Sequence, residues 1–340
     1  MAISLKDVAR AAGVSIKTVS NVVNDYPFVS PQTRTRVQSA IDELGYRPNL
    51  SARRLRSGRS GLIALSIPEI AAPYFAELAD AVVNAAEARG LTVLIDKTGG
   101  QRGHEQQTAA GIRDNVVDGT IASPLAMTAA DVDMLGRTHP IVLLGERLAN
   151  VAVDHVAIDS VEAARQATQH LMSLGRRTVA VIGTGPDVSN TGRLRLHGYQ
   201  QALADAGLRP EASLEGDARW YHRPDGYGAM RALLERRPDL DAVFCFNDLL
   251  AIGALRALRE AGRRVPDDVA VMGFDDVEEC RYTTPTLTSV APDKLAIAET
   301  AVRLLMHRIE QDGDAEPQEV FPPFTLAVRE STTGRPSTEV

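Results

Sequence analysis

The chain has 340 residues, 44% apolar and 24% charged, with a net charge of −7. That length asks for two or three domains, and no apolar run approaches the ~18 residues of a membrane span, so neither a spanning segment nor a membrane partner is expected. Residues 1–60 hold ten Lys/Arg against four Asp/Glu, a net of +6, which leaves −13 for the rest. A basic head on an acidic body points to a polyanion bound at one end only.

The N-terminal "MAISLKDVARAAG" lacks the apolar core of a secretory signal. Cys245 and Cys280 show no CxxC or His/Cys spacing and read as reduced thiols in or near a core, in a cytoplasmic protein. The seven histidines are scattered without metal-ligand spacing, and neither a metal nor a cofactor is expected. No GxSxG, HExxH, P-loop or strand-following GxGxxG pattern occurs, so nothing supports an enzyme.

Ser4 followed by Asp7 has the form of a capping box opening a helix. Leu5, Val8, Ala9 and Ala12 recur at helical spacing, and Gly13 suits the stop. Ser15 can cap a second helix over about 15–24, in which Val19, Val22 and Val23 form a buried stripe. At 100° per residue, Ile16, Lys17, Ser20 and Asn21 gather on the opposite face. A third helix over about 30–44 closes a small core with Val37, Ala40, Ile41 and Leu44. Two short helices joined by a Gly-containing turn make a helix-turn-helix.

In that arrangement the second helix enters the major groove of double-stranded DNA. Lys17 can donate to guanine acceptors, Asn21 can bond a base edge, and Ile16 can touch a thymine methyl. Ser15, Thr18, Ser20, Asn24 and Ser30 carry short polar groups suited to phosphate oxygens. Taken singly, each reads more readily as a cap or a solvated position, but the Ser cap, valine stripe and opposite polar face together favour DNA contact.

Beyond Pro48, "NLSARRLRSGRS" (49–60) carries four arginines clustered around Leu55. Asn49 can cap a helix running to about Ser57, a length only marginally stable alone. With its arginines repelling one another, the segment is expected to be disordered in free protein and helical on DNA. Ser51, Arg53 and Arg54 would meet the backbone there. Leu55 would wedge between base steps from the minor groove and kink the duplex.

"LKDVARAAGVSIKTVSNVVN" and "FVSPQTRTRVQSAIDELGYRPNLSARRLRSGRS" closely resemble the N-terminal module of the LacI/GalR family of bacterial transcription regulators. The resemblance implies a homodimer on a near-palindromic operator. It also implies base reading through Ile16, Lys17 and Asn21, and a hinge-helix leucine at Leu55.

The body alternates apolar runs with helical patterns. Strands are expected at 62–67, 91–95, 119–123, 141–145, 155–159, 178–183, 242–246 and 269–274. Apolar runs without alternation, spaced by helices, mean parallel sheets covered on both faces. The fold class is therefore a small all-α helix-turn-helix head plus an α/β body of two doubly wound lobes. The resemblance makes that body periplasmic-binding-protein-like. The boundaries read are 1–47 for the head, 48–60 for the hinge and 61–340 for the effector-binding and dimerisation body. Its lobes run over about 61–160 and 161–290, with the chain crossing near 290 and 322.

Ligands in open parallel sheets bind beyond the carboxyl ends of strands. That rule selects Tyr74, Phe75, Asp159, Arg193, Arg195, Asn247, Asp248, Asp275 and Asp276. Aromatic faces, a guanidinium and acceptor side chains suit a sugar ring. The resemblance assigns effector contacts to Tyr74, Phe75, Arg195, Asn247 and Asp275, and Trp220 or Tyr221 would add an aromatic wall. Family members often carry Asp or Asn where Gly145 stands. Either Glu146 takes over a hydroxyl contact or the pocket is wider.

The tail carries no leucine heptads, which favours a dimer over a tetramer. The function expected is a repressor of a carbohydrate-utilisation operon, released from its operator by a small sugar. A purine-type corepressor is the alternative. A solute-binding protein shares the body fold, but the basic head argues against it.

Overall fold

The computed structural model describes residues 3–23, 26–46, 59–109, 116–145, 148, 151–185, 189–311 and 316–335. The chain divides into two compact units, Met1–Ser60 and Gly61–Val340. The hinge residues Ser51, Arg53, Arg54 and Leu55, together with Asn24 and Glu146, lie outside the described residues.

The first unit is three helices, α1 (Leu5–Ala12), α2 (Ile16–Val23) and α3 (Pro31–Leu44). The Asp7 carboxylate accepts from the Ser4 backbone N–H at 3.0 Å and from its hydroxyl at 2.6 Å. Gly13 ends α1 at φ 62°, a left-handed geometry that costs glycine little. Ser15 Oγ accepts from the Thr18 N–H at 3.0 Å and starts α2. Ser30 does the same for α3, with Pro31 in the first turn. Val8, Ala9, Ala12, Val19, Val22, Val37, Ala40 and Tyr46 form the core between them. Its apolar atoms sit on the stripe that helical periodicity sets.

The second unit has two lobes. The first is built from β1 (Leu62–Ile67), α4 (Pro73–Glu87), β2 (Thr92–Lys97), α5 (Arg102–Ala109), β3 (Gly119–Ala122), α6 (Ala129–Gly136), β4 (Ile141–Leu144) and β5 (Asp154–Val156). The second contains α7 (Ser160–Ser173), β6 (Val179–Thr184), α8 (Asn190–Asp205), β7 (Glu215–Asp217), α9 (Arg223–Arg236), β8 (Ala242–Cys245), α10 (Asp248–Glu260), β9 (Ala270–Phe274) and β10 (Thr288–Pro292).

The chain then returns. α11 (Lys294–Glu310) packs on α4, β3, β4 and β5 of the first lobe. β11 (Glu319–Val320) pairs with β5, and β12 (Phe324–Ala327) adds antiparallel to β10. A last short helix, α12 (Glu330–Thr333), packs on β9 and β10.

The sheet orders are β11-β5-β4-β3-β1-β2 and β12-β10-β9-β8-β6-β7. In both, the lobe's second strand lies at the edge beside its first, and the third, fourth and fifth follow on the other side. The chain therefore crosses between lobes three times, after β5, after β10 and after β11. Strands such as Val179–Thr184 are buried throughout, as the parallel part of a sheet covered by helices demands.

Each lobe has its own core, and Tyr74 and Ile158 pack against both. Cys245 and Cys280 are buried free thiols. Among the described residues, no helix is long and apolar enough to cross a membrane.

Candidate functional site

Two surfaces answer to the sequence reading. On the first unit, Ile16 is 49% exposed, Lys17 is exposed and Asn21 is half-buried along one side of α2. Ser20, expected on that face, is instead buried at 5% exposure beside Val19. It sits where the polar face meets the apolar stripe, and packing against the neighbouring helices takes the boundary position inward. Ser15 and Ser30 act as helix caps, and the Thr18 hydroxyl bonds Ser15 Oγ at 2.8 Å. Capping uses their oxygens without removing them from the surface. Phe28, 84% exposed and edge-on to Tyr26, extends the solvent-facing surface of this unit, and the sequence reading passed over it.

The second surface is a cleft in the body of about 380 Å³. Strand ends of both lobes supply its walls, because parallel strands present all their carboxyl ends to one side. Tyr74 and Phe75 enter on the first turn of α4, where Pro73 fixes the backbone, and their rings meet edge to face at 5.3 Å. Arg195 projects from α8. Trp220 and Tyr221 follow β7, Asn247 follows β8 and Asp275 follows β9. All seven line one cavity.

Asp159 does not. It is exposed, and its carboxylate caps α7 by accepting from the backbone N–H groups of Val161 at 3.1 Å and Glu162 at 3.0 Å. Its carboxylate satisfies orphan amides at the start of that helix, and the residue lies outside the lining of the cleft. Gly145 lines the cleft at φ 76°, and a Cβ there would meet only Ser123 Oγ, at 3.8 Å. The wall is thus open where a larger side chain would narrow it.

Sequence reasoning did not single out Glu69, Ser123, Arg219 or His222, which also line the cavity. Ser123 directly follows β3 and Glu69 lies two residues past β1, so the strand-end rule applied to every strand would have found both.

The floor is electrostatically constrained. The Arg195 guanidinium lies 3.5 Å from the Phe274 ring centroid and donates to the Phe246 carbonyl. Its Nη2 stands 3.9 Å from Asp275 Oδ1. Arg195 is only 8% exposed, yet its Nε–H has no acceptor among the described residues. A buried donor without a partner carries a desolvation penalty.

Asp275 holds φ at 107° and Asp276 at 46°, both outside the usual region for a side-chain-bearing residue. Strain of this kind is on the order of 1–3 kcal/mol per residue and collects at ligand sites. Burial pushes the Asp275 carboxyl above the ordinary carboxylate range, against the pull of Arg195 and Lys294. Asp248 is pushed the same way by burial and by the Asp275 charge, opposed by hydrogen bonds from Ser289 Oγ at 2.6 Å and the Val277 N–H at 3.0 Å. Burial also raises the Tyr74 phenol.

Asn247 lines the cleft while its side chain accepts from the Leu250 N–H at 2.9 Å and donates to the Tyr221 carbonyl at 3.0 Å. Tyr221 donates its hydroxyl to the Gly183 carbonyl at 2.8 Å, so it presents its ring and not its oxygen. Gly183 is required there, since a Cβ would fall 2.5 Å from the Phe246 ring. The result is a cavity of aromatic faces in which the Arg195 guanidinium stands beside the Asp275 carboxylate, so the two charges offset each other. That suits a neutral, hydroxyl-bearing ring better than an anion.

The comparisons agree with this geometry. Residues 4–49 match the family model described as bacterial regulatory proteins, lacI family, and residues 168–332 match a periplasmic binding protein-like domain. The chain is 37% identical to the HTH-type transcriptional regulator CelR of Thermobifida fusca, over 96% of this chain and 98% of that protein. It is 36% identical to the HTH-type transcriptional repressor PurR of Erwinia tasmaniensis, over 98% of each. Among solved structures, a transcriptional regulator CelR–cellobiose complex aligns with a TM-score of 0.70 and 36% identity, covering 97% of this chain and 99% of that one. The three-helix head, the twin-lobed body and these matches along almost the whole chain place it in the LacI family of DNA-binding bacterial transcriptional regulators.

Proposed function

We propose that the chain is a repressor of a carbohydrate-utilisation operon, which holds a near-palindromic operator as a homodimer and is released when a small sugar occupies the cleft. The observation that carries this is the cavity itself, which brings the rings of Tyr74, Phe75, Trp220 and Tyr221 together with the polar side chains of Arg195, Asn247 and Asp275. Tyr74, Phe75, Trp220 and Tyr221 offer ring faces, and Asn247 and Asp275 flank the same floor. A similar protein, solved as a complex with cellobiose, supports the effector class. The second reading is a purine-type corepressor that tightens operator binding, and the similarity to transcriptional repressors keeps it in play.

The test is calorimetric titration of cellobiose, ribose, glucose, hypoxanthine and guanine, followed by operator titration with each ligand that binds. A sugar should bind and weaken the operator complex. A purine that binds and strengthens it would replace this reading with the second one. Arg195→Ala should weaken sugar binding by about 1.5–3 kcal/mol, the usual worth of hydrogen bonds to a charged group. Unfolding curves would check that the variant remains folded.

For the head, Ile16, Lys17 and Asn21 are proposed to read base edges, with Ser15, Thr18 and Ser30 on phosphates. Ser51, Arg53, Arg54 and Leu55 belong to the same proposal as the hinge. Lys17→Ala and Asn21→Ala should each cost about 1–3 kcal/mol on the preferred operator, and Lys17→Ala should relax the choice of base. Selection from random duplex DNA, then binding at fixed salt, measures both.

A further inference from the structure

Two side chains that the effector reading leaves unused face each other across the cleft. Glu69 follows β1 in the first lobe, and His222 precedes α9 in the second. His222 Nε2 lies 2.9 Å from Glu69 Oε2, and both residues line the cavity. Their side chains are 44% and 36% exposed, so the pair sits at the rim and not on the floor. A carboxylate only accepts, so the imidazole donates through Nε2–H whatever the state of its other nitrogen.

Glu77 makes a second polar link between lobes. It accepts from the Glu278 N–H at 2.8 Å and holds Lys294 Nζ at 2.8 Å. Lys294 opens α11, directly after a crossover, where rotation of one lobe against the other moves atoms least. The loops carrying Glu69 and His222 contain no crossover, so the separation of this pair follows lobe opening.

We propose that Glu69 and His222 form a clasp that fastens the cleft rim once the lobes meet, and so sets how long an effector stays. This rests on reading the cleft as the effector site. The clasp itself can be tested without any effector. Met134→Cys in the first lobe and Arg209→Cys in the second place spin labels on exposed positions, while Cys245 and Cys280 are buried. Labelled full-length chain is diluted with unlabelled chain, and interlobe distances are read by pulsed electron resonance.

Glu69→Ala and His222→Ala should each shift population from the short distance to a longer one. The double variant should go no further than either single one, and His222→Gln, which keeps a donor, should restore the short distance. With cellobiose as probe, release should quicken by about two- to fivefold in the alanine variants, as befits a half-exposed pair. Unchanged distances in both alanine variants, or effects that simply add in the double, would overturn the clasp. If the distances shift but no sugar binds the parent protein, the effector reading falls and the clasp stands.

Discussion

Asp154→Ala should lower the unfolding free energy of the body by about 3–5 kcal/mol, the cost of stranding one partner of a buried ion pair. Arg308 grips both Asp154 oxygens, with Nε at 2.7 Å and Nη2 at 2.9 Å. The same carboxylate accepts from the Gln318 N–H at 2.7 Å. The two side chains are 1% and 9% exposed, so water cannot replace what is removed. Through this node the returning segment, α11 with β11, is tied to β5. In urea the midpoint should fall while the slope holds. Asp154→Ala combined with Arg308→Met should recover most of the loss, since the stranded charge is gone. A fall of less than about 1 kcal/mol in the single variant would contradict the account.

The second large effect is steric. Gly226 on α9 and Gly253 on α10 let those helices touch backbone to backbone. A Cβ at Gly226 would lie 2.1 Å from the Leu250 carbonyl oxygen, and one at Gly253 would lie 2.1 Å from that of Arg223. Neither obstacle is a flexible side chain, so the helices must separate. Gly226→Ala or Gly253→Ala should therefore cost stability at or above the top of the usual overpacking range of about 1–3 kcal/mol. Gly228, also on α9, has nothing within 4 Å of a Cβ and is exposed. Gly228→Ala should stabilise by about 0.5–1 kcal/mol, because alanine restricts the unfolded chain and favours helix. Thermal unfolding of the three variants side by side gives opposite signs if packing decides, and one common sign if helix propensity does.

Much of the architecture is legible because buried parallel strands leave a strong mark. Runs such as "TVAVIG" and "AVFCF" show no alternation, and they form β6 and β8 in the middle of a sheet. β7 is three residues, Glu215–Asp217, and has no apolar run to find. β10 ends in Pro292 and reads as a turn until its neighbours are known. In the cleft, the strand-end rule gathers Tyr74, Arg195, Asn247 and Asp275 around one cavity but cannot tell a ligand group from a helix cap. Asp159 is a cap, and Asn247 caps while lining the wall. The strand-end rule reaches Glu69, but its pairing with His222 is a contact between residues 153 apart in the chain, which no local pattern marks.

The exchange of chain between lobes has a bearing on how the protein is made. The first lobe lacks a covering helix until α11 is complete, and an edge strand until residue 320 has been added. The three-helix head, whose core among the described residues ends at Tyr46, can close early in synthesis. A ribosome therefore carries a finished basic head on an unfinished acidic body for most of translation. A chain cut short before Lys294 would keep that head but lack the parts that complete the first lobe. Nonsense alleles near the 3′ end would then leave a fragment with its DNA-facing module intact and deaf to any signal in the cleft.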